Sequence, residues 1–187
     1  MDVAKERIIS KSLELFSQIG VKVITMDMIC YELGMSKKTL YEHFTSKEDL
    51  IKQSFNEQMN EFIEKFKNKI THISNPIAQL SYIFENSLYF NKKDKVSFQL
   101  QKFYPNIYTE LLKTQNIFIK DIIKNNIVSG IKDGLYRSKV QIDLVIDYIV
   151  MILYNINEDE FLKANCQKYF FELVTRSIAT KKGLKEI

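Results

Sequence analysis

Glycine and proline are scarce in this 187-residue chain, five and two respectively. So little punctuation argues against turn-rich β architectures and leaves room for long uninterrupted helices. Cysteine is as scarce: Cys30 and Cys166 are too few and too far apart for a disulfide framework. They read as small buried hydrophobes in a reducing compartment. Histidine occurs only twice, too seldom for a multi-histidine metal site. No stretch approaches the ~20 apolar residues a membrane helix needs. The longest, Leu144 to Tyr154, is broken by Asp147, and the opening MDVAKERIIS has no apolar signal region. No glycine-rich phosphate loop, His-Glu-x-x-His pair or nucleophile elbow is present. The expectation is a cytoplasmic protein that is not an enzyme, with no catalytic residues, cofactor, metal or membrane partner.

Hydrophobic residues make up 45% of the chain, ample for a real core. The net charge of +4 is unevenly placed. Residues 1–52 hold eight Lys/Arg and eight Asp/Glu, so the excess lies entirely in the remainder. Bulk charge therefore gives little support to nucleic-acid binding. Locally the picture differs, because Met35 to Lys47 carries Lys37, Lys38 and Lys47 against the single Glu42.

Periodicity predicts helices almost throughout. Ile9, Leu13 and Phe16 form one stripe of a first helix, and Gly20 follows where a left-handed cap is wanted. Thr25 is a good N-cap, and Asp27 in the first turn suits the helix dipole. That second helix buries Met28 or Ile29 with Leu33 and stops at Gly34. Ser36 caps a third, Lys37 to Phe44, only ~12 Å long at ~1.5 Å per residue, with Leu40 and Phe44 turned inward. Ser46-Lys47-Glu48-Asp49 has the shape of a capping box and opens a long helix through Phe66 and Ile70. Further helices are expected from Pro76 to Phe90, Val96 to Phe103, Pro105 to Ile131, Ile142 to Ile156 and Glu160 to Ala179. The expected break lies at Asn91 to Lys95, and nothing reads as a strand.

The segment TMDMICYELGMSKKTLYEHFTSK, Thr25 to Lys47, thus contains two short helices joined by a tight turn. A helix so short and so rich in hydrogen-bonding side chains suits insertion into a DNA major groove. Its outward face is Ser36, Lys37, Lys38, Thr39, Tyr41 and His43. Lysine can meet guanine edges or phosphate, and threonine a base edge or a thymine methyl. A solvated charged face is the plainer alternative for the lysines. Tyr41 lies ~100° round the helix from Leu40, away from the inward stripe, although it can equally pack at the helix end. His43 can contact phosphate or brace the helix. Helix starts near Thr25 and Lys47 leave N–H groups that attract phosphate oxygens.

RIISKSLELFSQIG, TMDMI and LGMSKKTLYEHFTSKEDL, in this order and spacing, resemble the N-terminal module of TetR-type (tetracycline-repressor-like) transcriptional regulators. Cys30 stands where that family usually has alanine, and Leu33 where a small residue is frequent. The resemblance implies that Tyr41, Thr25 and Lys47 touch the DNA backbone. It also implies an all-α fold with two domains: a three-helix DNA-binding bundle at residues 1–50, and a helical ligand-sensing and dimerisation domain at 51–187. The function implied is a homodimeric regulator of a palindromic double-stranded operator, a repressor released by an unknown small molecule. GIKDGLYRSKVQID resembles the loop before the dimer-forming helices.

Two sets of residues in the second domain follow. The apolar stripes Val145, Ile149, Ile152, Ile156 and Tyr169, Phe170, Leu173, Ile178 are expected to form the dimer interface. Phe98, Tyr104, Phe118 and Tyr148 are the aromatic candidates for an apolar ligand pocket. The competing reading is a helical ligand carrier or enzyme that reuses a three-helix bundle without binding DNA.

Overall fold

Helix starts leave backbone N–H groups without partners, and in this protein side chains take them up one after another. The computed structural model describes residues 2–86, 94–155 and 160–187. Helix α1 (Val3–Gln18) opens with the Asp2 carboxylate accepting from the Ala4 N–H at 3.1 Å. Thr25 caps α2 (Met26–Leu33) at the Met28 N–H, and Ser36 caps α3 (Lys37–His43) at the Thr39 N–H. Ser46 Oγ accepts from the Asp49 N–H at 3.0 Å in the first turn of α4 (Lys47–Thr71). Asn75 precedes Pro76, the first residue of α5 (Pro76–Glu85), and Asp94 caps α6 (Lys95–Phe103). Then come α7 (Pro105–Lys132), α8 (Ile142–Asn155), α9 (Glu160–Ile178) and a short 3-10 turn at Gly183–Lys185.

The fold is all-α, as the sequence predicts; among the described residues extended pairing is limited to one antiparallel bridge, Tyr136 with Ala179. One helix is shorter than expected. α5 ends at Glu85, not Phe90, because Asn86 closes it: both its backbone N–H and its side-chain amide donate to the Tyr82 carbonyl. The remainder of that expected helix, and Ile156 of the dimer set, lie outside the described residues.

Two compact units result, Met1–Ile63 with Lys93–Thr114, and Glu64–Lys92 with Gln115–Ile187. The core of the first unit gathers Ile8 and Phe16 of α1, Ile29 and Leu33 of α2, Leu40 and Phe44 of α3, and Leu50 and Ile51 of α4. Leu100 of α6 and Ile107 and Leu111 of α7 belong to the same core. The helices packed on the N-terminal bundle thus extend well beyond residue 50.

In the second unit Phe66 packs on Tyr82 and edge-on against Phe118, while α5 lies along α9 with Phe84 against Phe171. A polar knot sits inside it. Asn126 Nδ2 donates to the Pro76 carbonyl at 2.6 Å, and the Tyr136 hydroxyl donates to that carbonyl and to Asn126 Oδ1 at 3.2 and 3.3 Å. Burial pushes the Tyr136 hydroxyl pKa far above its ordinary value, so it stays a donor. The ring lies flat on Gly130 of α7, where any Cβ would run into it.

That knot gives a stability test. Tyr136→Phe should lower the unfolding free energy by about 1 kcal/mol through the lost hydroxyl. Gly130→Ala should lose more, about 1–3 kcal/mol, because the ring must be displaced. Urea denaturation measures both, and a Gly130→Ala protein as stable as wild type would refute this packing.

Candidate nucleic-acid interface

The turn between α2 and α3 is set by backbone geometry. Gly34 sits at φ 62°, the left-handed region where side chains are disfavoured, and its N–H donates to the Tyr31 carbonyl. The Met35 N–H donates to the Cys30 carbonyl at 3.0 Å, and Arg7 of α1 donates to the Leu33 carbonyl at 3.2 Å. These bonds occupy the carbonyls that the end of α2 would leave open. Cys30 and Leu33 are both buried, as their inward position on the wheel predicts.

Leu40 and Phe44 are fully buried, which turns the opposite face of α3 outward. Ser36, Lys37, Lys38, Tyr41 and Glu42 are exposed, with Tyr41 49% accessible, too open for a core aromatic. Thr39 and His43 are half-buried. The Thr39 hydroxyl is 2.9 Å from Ser36 Oγ, so it shares in the cap. His43 Nδ1 lies 3.5 Å from an Asp2 carboxylate oxygen and faces the start of α1. Lys37 Nζ meets Asp27 Oδ2 of α2 at 2.7 Å, and the hydrogen bond and charge of that carboxylate raise the ammonium pKa.

The connector from α1 to α2 is held from both sides. Gly20 has φ 111°, and a Cβ there would stand 2.7 Å from Gln99 Nε2 of α6. Gln99 Oε1 accepts from the Lys22 N–H, Lys95 Nζ donates to the Ile19 carbonyl, and Lys22 Nζ lies 4.4 Å from the centre of the Phe103 ring. From α4, Lys47 Nζ donates to the Lys22 carbonyl at 3.1 Å. Burial lowers the Lys47 pKa below the ordinary lysine value. Lys47 therefore fastens the connector. Thr25 is exposed at the end of that connector, its hydroxyl oxygen engaged by the Met28 N–H. Behind Lys47, burial pushes the Asp49 carboxyl up, but donors from Gln53 and Thr45 outweigh it and hold the group ionised.

Residues 8–53 match the family model described as bacterial regulatory proteins, tetR family. An HTH-type transcriptional regulator of Staphylococcus aureus (strain bovine RF122 / ET3-1) is 40% identical over 63 residues, 34% of each chain. The chain thus spans about a third of that relative's length. The negative transcriptional regulator of the biofilm operon icaADBC, IcaR, of Staphylococcus aureus (strain Newman) is 28% identical over 126 residues, 64% of this chain and 68% of IcaR. The similarity to TetR-family regulators is thus carried by the N-terminal module, residues 8–53.

Solved structures share the all-α fold. A transcriptional regulator from Cytophaga hutchinsonii ATCC 33406 superposes with a TM-score of 0.78 at 19% identity, over 96% of this chain and 100% of that one. FadR from Bacillus subtilis, in complex with stearoyl-CoA, superposes at 0.66 and 17% identity, over 91% and 97%.

The expected sites beyond the TetR-type module fare unevenly. Ile149, Ile152 and Ile178 are buried within the single chain, so a second copy cannot reach them. Val145 and Phe170 are half-buried, while Tyr169 and Leu173 are exposed. The outward apolar residues of α8 are Leu144, Tyr148 and Met151, one step round the helix from the expected stripe. Tyr148, expected in a pocket, is among them. Phe118 is buried against Phe66, Tyr104 is half-buried and Phe98 is 61% exposed. Two cavities of about 310 Å³ lie in the first unit, one lined by residues including Thr45, Asp49 and Glu110, the other by Leu15, Met28 and Tyr31 among others. None of the four aromatic candidates lines either. The Asp27–Lys37 pair, the Gln99 brace and the tether from Lys47 went unread in the sequence. The first was signalled only by opposite charges ten positions apart across a turn.

Two glycines separate strain from crowding. Gly34→Ala meets no neighbour within 4 Å and should cost only the left-handed backbone, about 1–2 kcal/mol. Gly20→Ala adds displacement of Gln99 and should cost more. Thermal unfolding of the two variants checks the order, and the reverse order would refute the brace.

Proposed function

We propose that this chain is a homodimeric repressor that reads a palindromic operator through α3 and releases it when a small molecule occupies its C-terminal helices. The observation that carries the reading is the face of α3. Leu40 and Phe44 anchor the helix while Lys37, Lys38 and Tyr41 stand in solvent. The Ser36 cap and the two buried anchors hold so short a helix rigid while its polar groups face outward. A docking helix needs that rigidity. Ser36 to His43 then form the groove-facing element, with Thr25 at the backbone. Lys47 serves the connector first and reaches phosphate only if its ammonium can serve both.

Two-fold symmetry would set a pair of such helices ~34–36 Å apart on successive major grooves. For the subunit contact we favour the outward face of α8 and α9, Leu144, Tyr148, Tyr169 and Leu173, over the stripe that lies in the core. Leu144 and Tyr169 are each more than 60% exposed in the single chain, and large apolar side chains on these consecutive helices favour a second copy over water. The stearoyl-CoA complex of the structurally similar FadR supports a small-molecule effector for this chain, and IcaR's negative regulation supports repression. Such an effector works only through its different affinity for the DNA-fitting and non-fitting states.

Removing the phenol ring tests the DNA face. Tyr41→Ala should weaken binding to a duplex selected by the wild-type protein by about tenfold, roughly 1.4 kcal/mol, with unchanged circular dichroism. A folded variant of unaltered affinity would sink the assignment and favour a carrier that does not bind DNA.

Sedimentation tests the dimer. Leu173→Glu should turn a micromolar wild-type dimer into monomer, whereas a wild type that sediments as a monomer would refute the interface.

A further inference from the structure

We propose that Asp27 is a positioning residue that reserves Lys37 for a base edge and withholds it from bare phosphate, sharpening the choice between the operator and other DNA. The inference rests on the DNA-binding reading above. Lys37 opens α3 and Asp27 lies in the first turn of α2, and their side chains meet at 2.7 Å. Both are more than 60% exposed, so the pair sits in high dielectric and adds little to fold stability. Its consequence lies in what the ammonium does next. An ammonium that already faces a carboxylate gains less from a phosphate and releases fewer counterions there.

A guanine edge is different. The ammonium has three donors, so Lys37 can keep Asp27 on one and offer another to guanine O6 or N7. Adjacent Lys38 has no ion pair among the described residues and is the contrasting cation. Asp27 thereby divides the two lysines, one steered to bases and one open to phosphate.

The test uses the full chain and two duplexes, one selected from a random pool by the wild-type protein and one of scrambled sequence. Asp27→Asn should bind the scrambled duplex about tenfold tighter, with little change on the selected one. Its slope of log K against log salt on scrambled DNA should steepen by one to two units per dimer, at ~0.9 per phosphate. Asp27→Glu should restore wild-type discrimination. In a Lys37→Met background, Asp27→Asn should change neither affinity nor slope. An equal effect in that background would mean Asp27 acts on DNA directly and would overturn the positioning role. Unchanged discrimination in Asp27→Asn would overturn it too, while a discriminating wild type kept the DNA-binding reading intact. A wild type that prefers no sequence would refute that reading, and this inference with it.

Discussion

A seven-residue helix cannot hold itself together in water, since nucleation fixes several residues before propagation returns anything. Everything about α3 follows from that constraint. Two of its side chains must be fully buried to anchor it, and Leu40 and the following Phe44 are. Full burial of a side chain of this size stabilises by about 1.5–3 kcal/mol each. The Ser36 cap adds about 1 kcal/mol by satisfying an N–H that would otherwise point at solvent. With the inward face so committed, geometry leaves Lys37, Lys38 and Tyr41 outward, and the helix becomes a rigid presenter of polar groups. The fold and the site are one arrangement seen from two sides.

Anchoring passes back through the chain. α3 rests on α2, and α2 starts from a connector that has no helix of its own. That connector is built from Gly20 at a positive φ, two buried β-branched residues, Val21 and Ile24, and backbone groups taken up by distant side chains. Gln99 takes the Lys22 N–H and Lys47 serves the Lys22 carbonyl, so one peptide segment is held from α6 and from α4. Polar backbone that is neither helix nor strand must find partners somewhere. Here the partners come from helices 25 and 77 positions away in sequence.

Local signals were the ones that could be read. Caps at Thr25, Ser36 and Ser46, the stop at Gly34 and the inward pairing of Leu40 with Phe44 depend on neighbours within four residues. The sequence displays those directly. What it does not display is which elements meet across long separations. Periodicity showed that α8 and α9 each have an apolar face, but not whether the chain itself or a second copy would cover it. Ile149 and Ile178 proved to be covered from within, leaving Leu144 and Tyr148 outside. The tether from Lys47 to the Lys22 carbonyl likewise spans 25 residues and has no local signal. At the end of α5 the Asn86 side-chain amide joins its own backbone N–H on the Tyr82 carbonyl and caps the helix at Glu85.

The first 52 residues are neutral, and most of their lysines are already spoken for. Lys11 faces Glu14 and Glu32, Lys37 faces Asp27, Lys52 faces Glu110, and Lys47 is bound to a backbone oxygen. A surface arranged this way would attract DNA weakly at long range, because the field of each paired cation is largely cancelled a few ångströms away. Under the DNA-binding proposal, affinity would then come from contacts made at close quarters and in register, where an ammonium exchanges or shares its carboxylate for a correctly placed acceptor. Such a module would forgo rapid capture of any duplex and gain in selectivity. A domain with the same helices and a basic surface would bind more DNA and distinguish less of it.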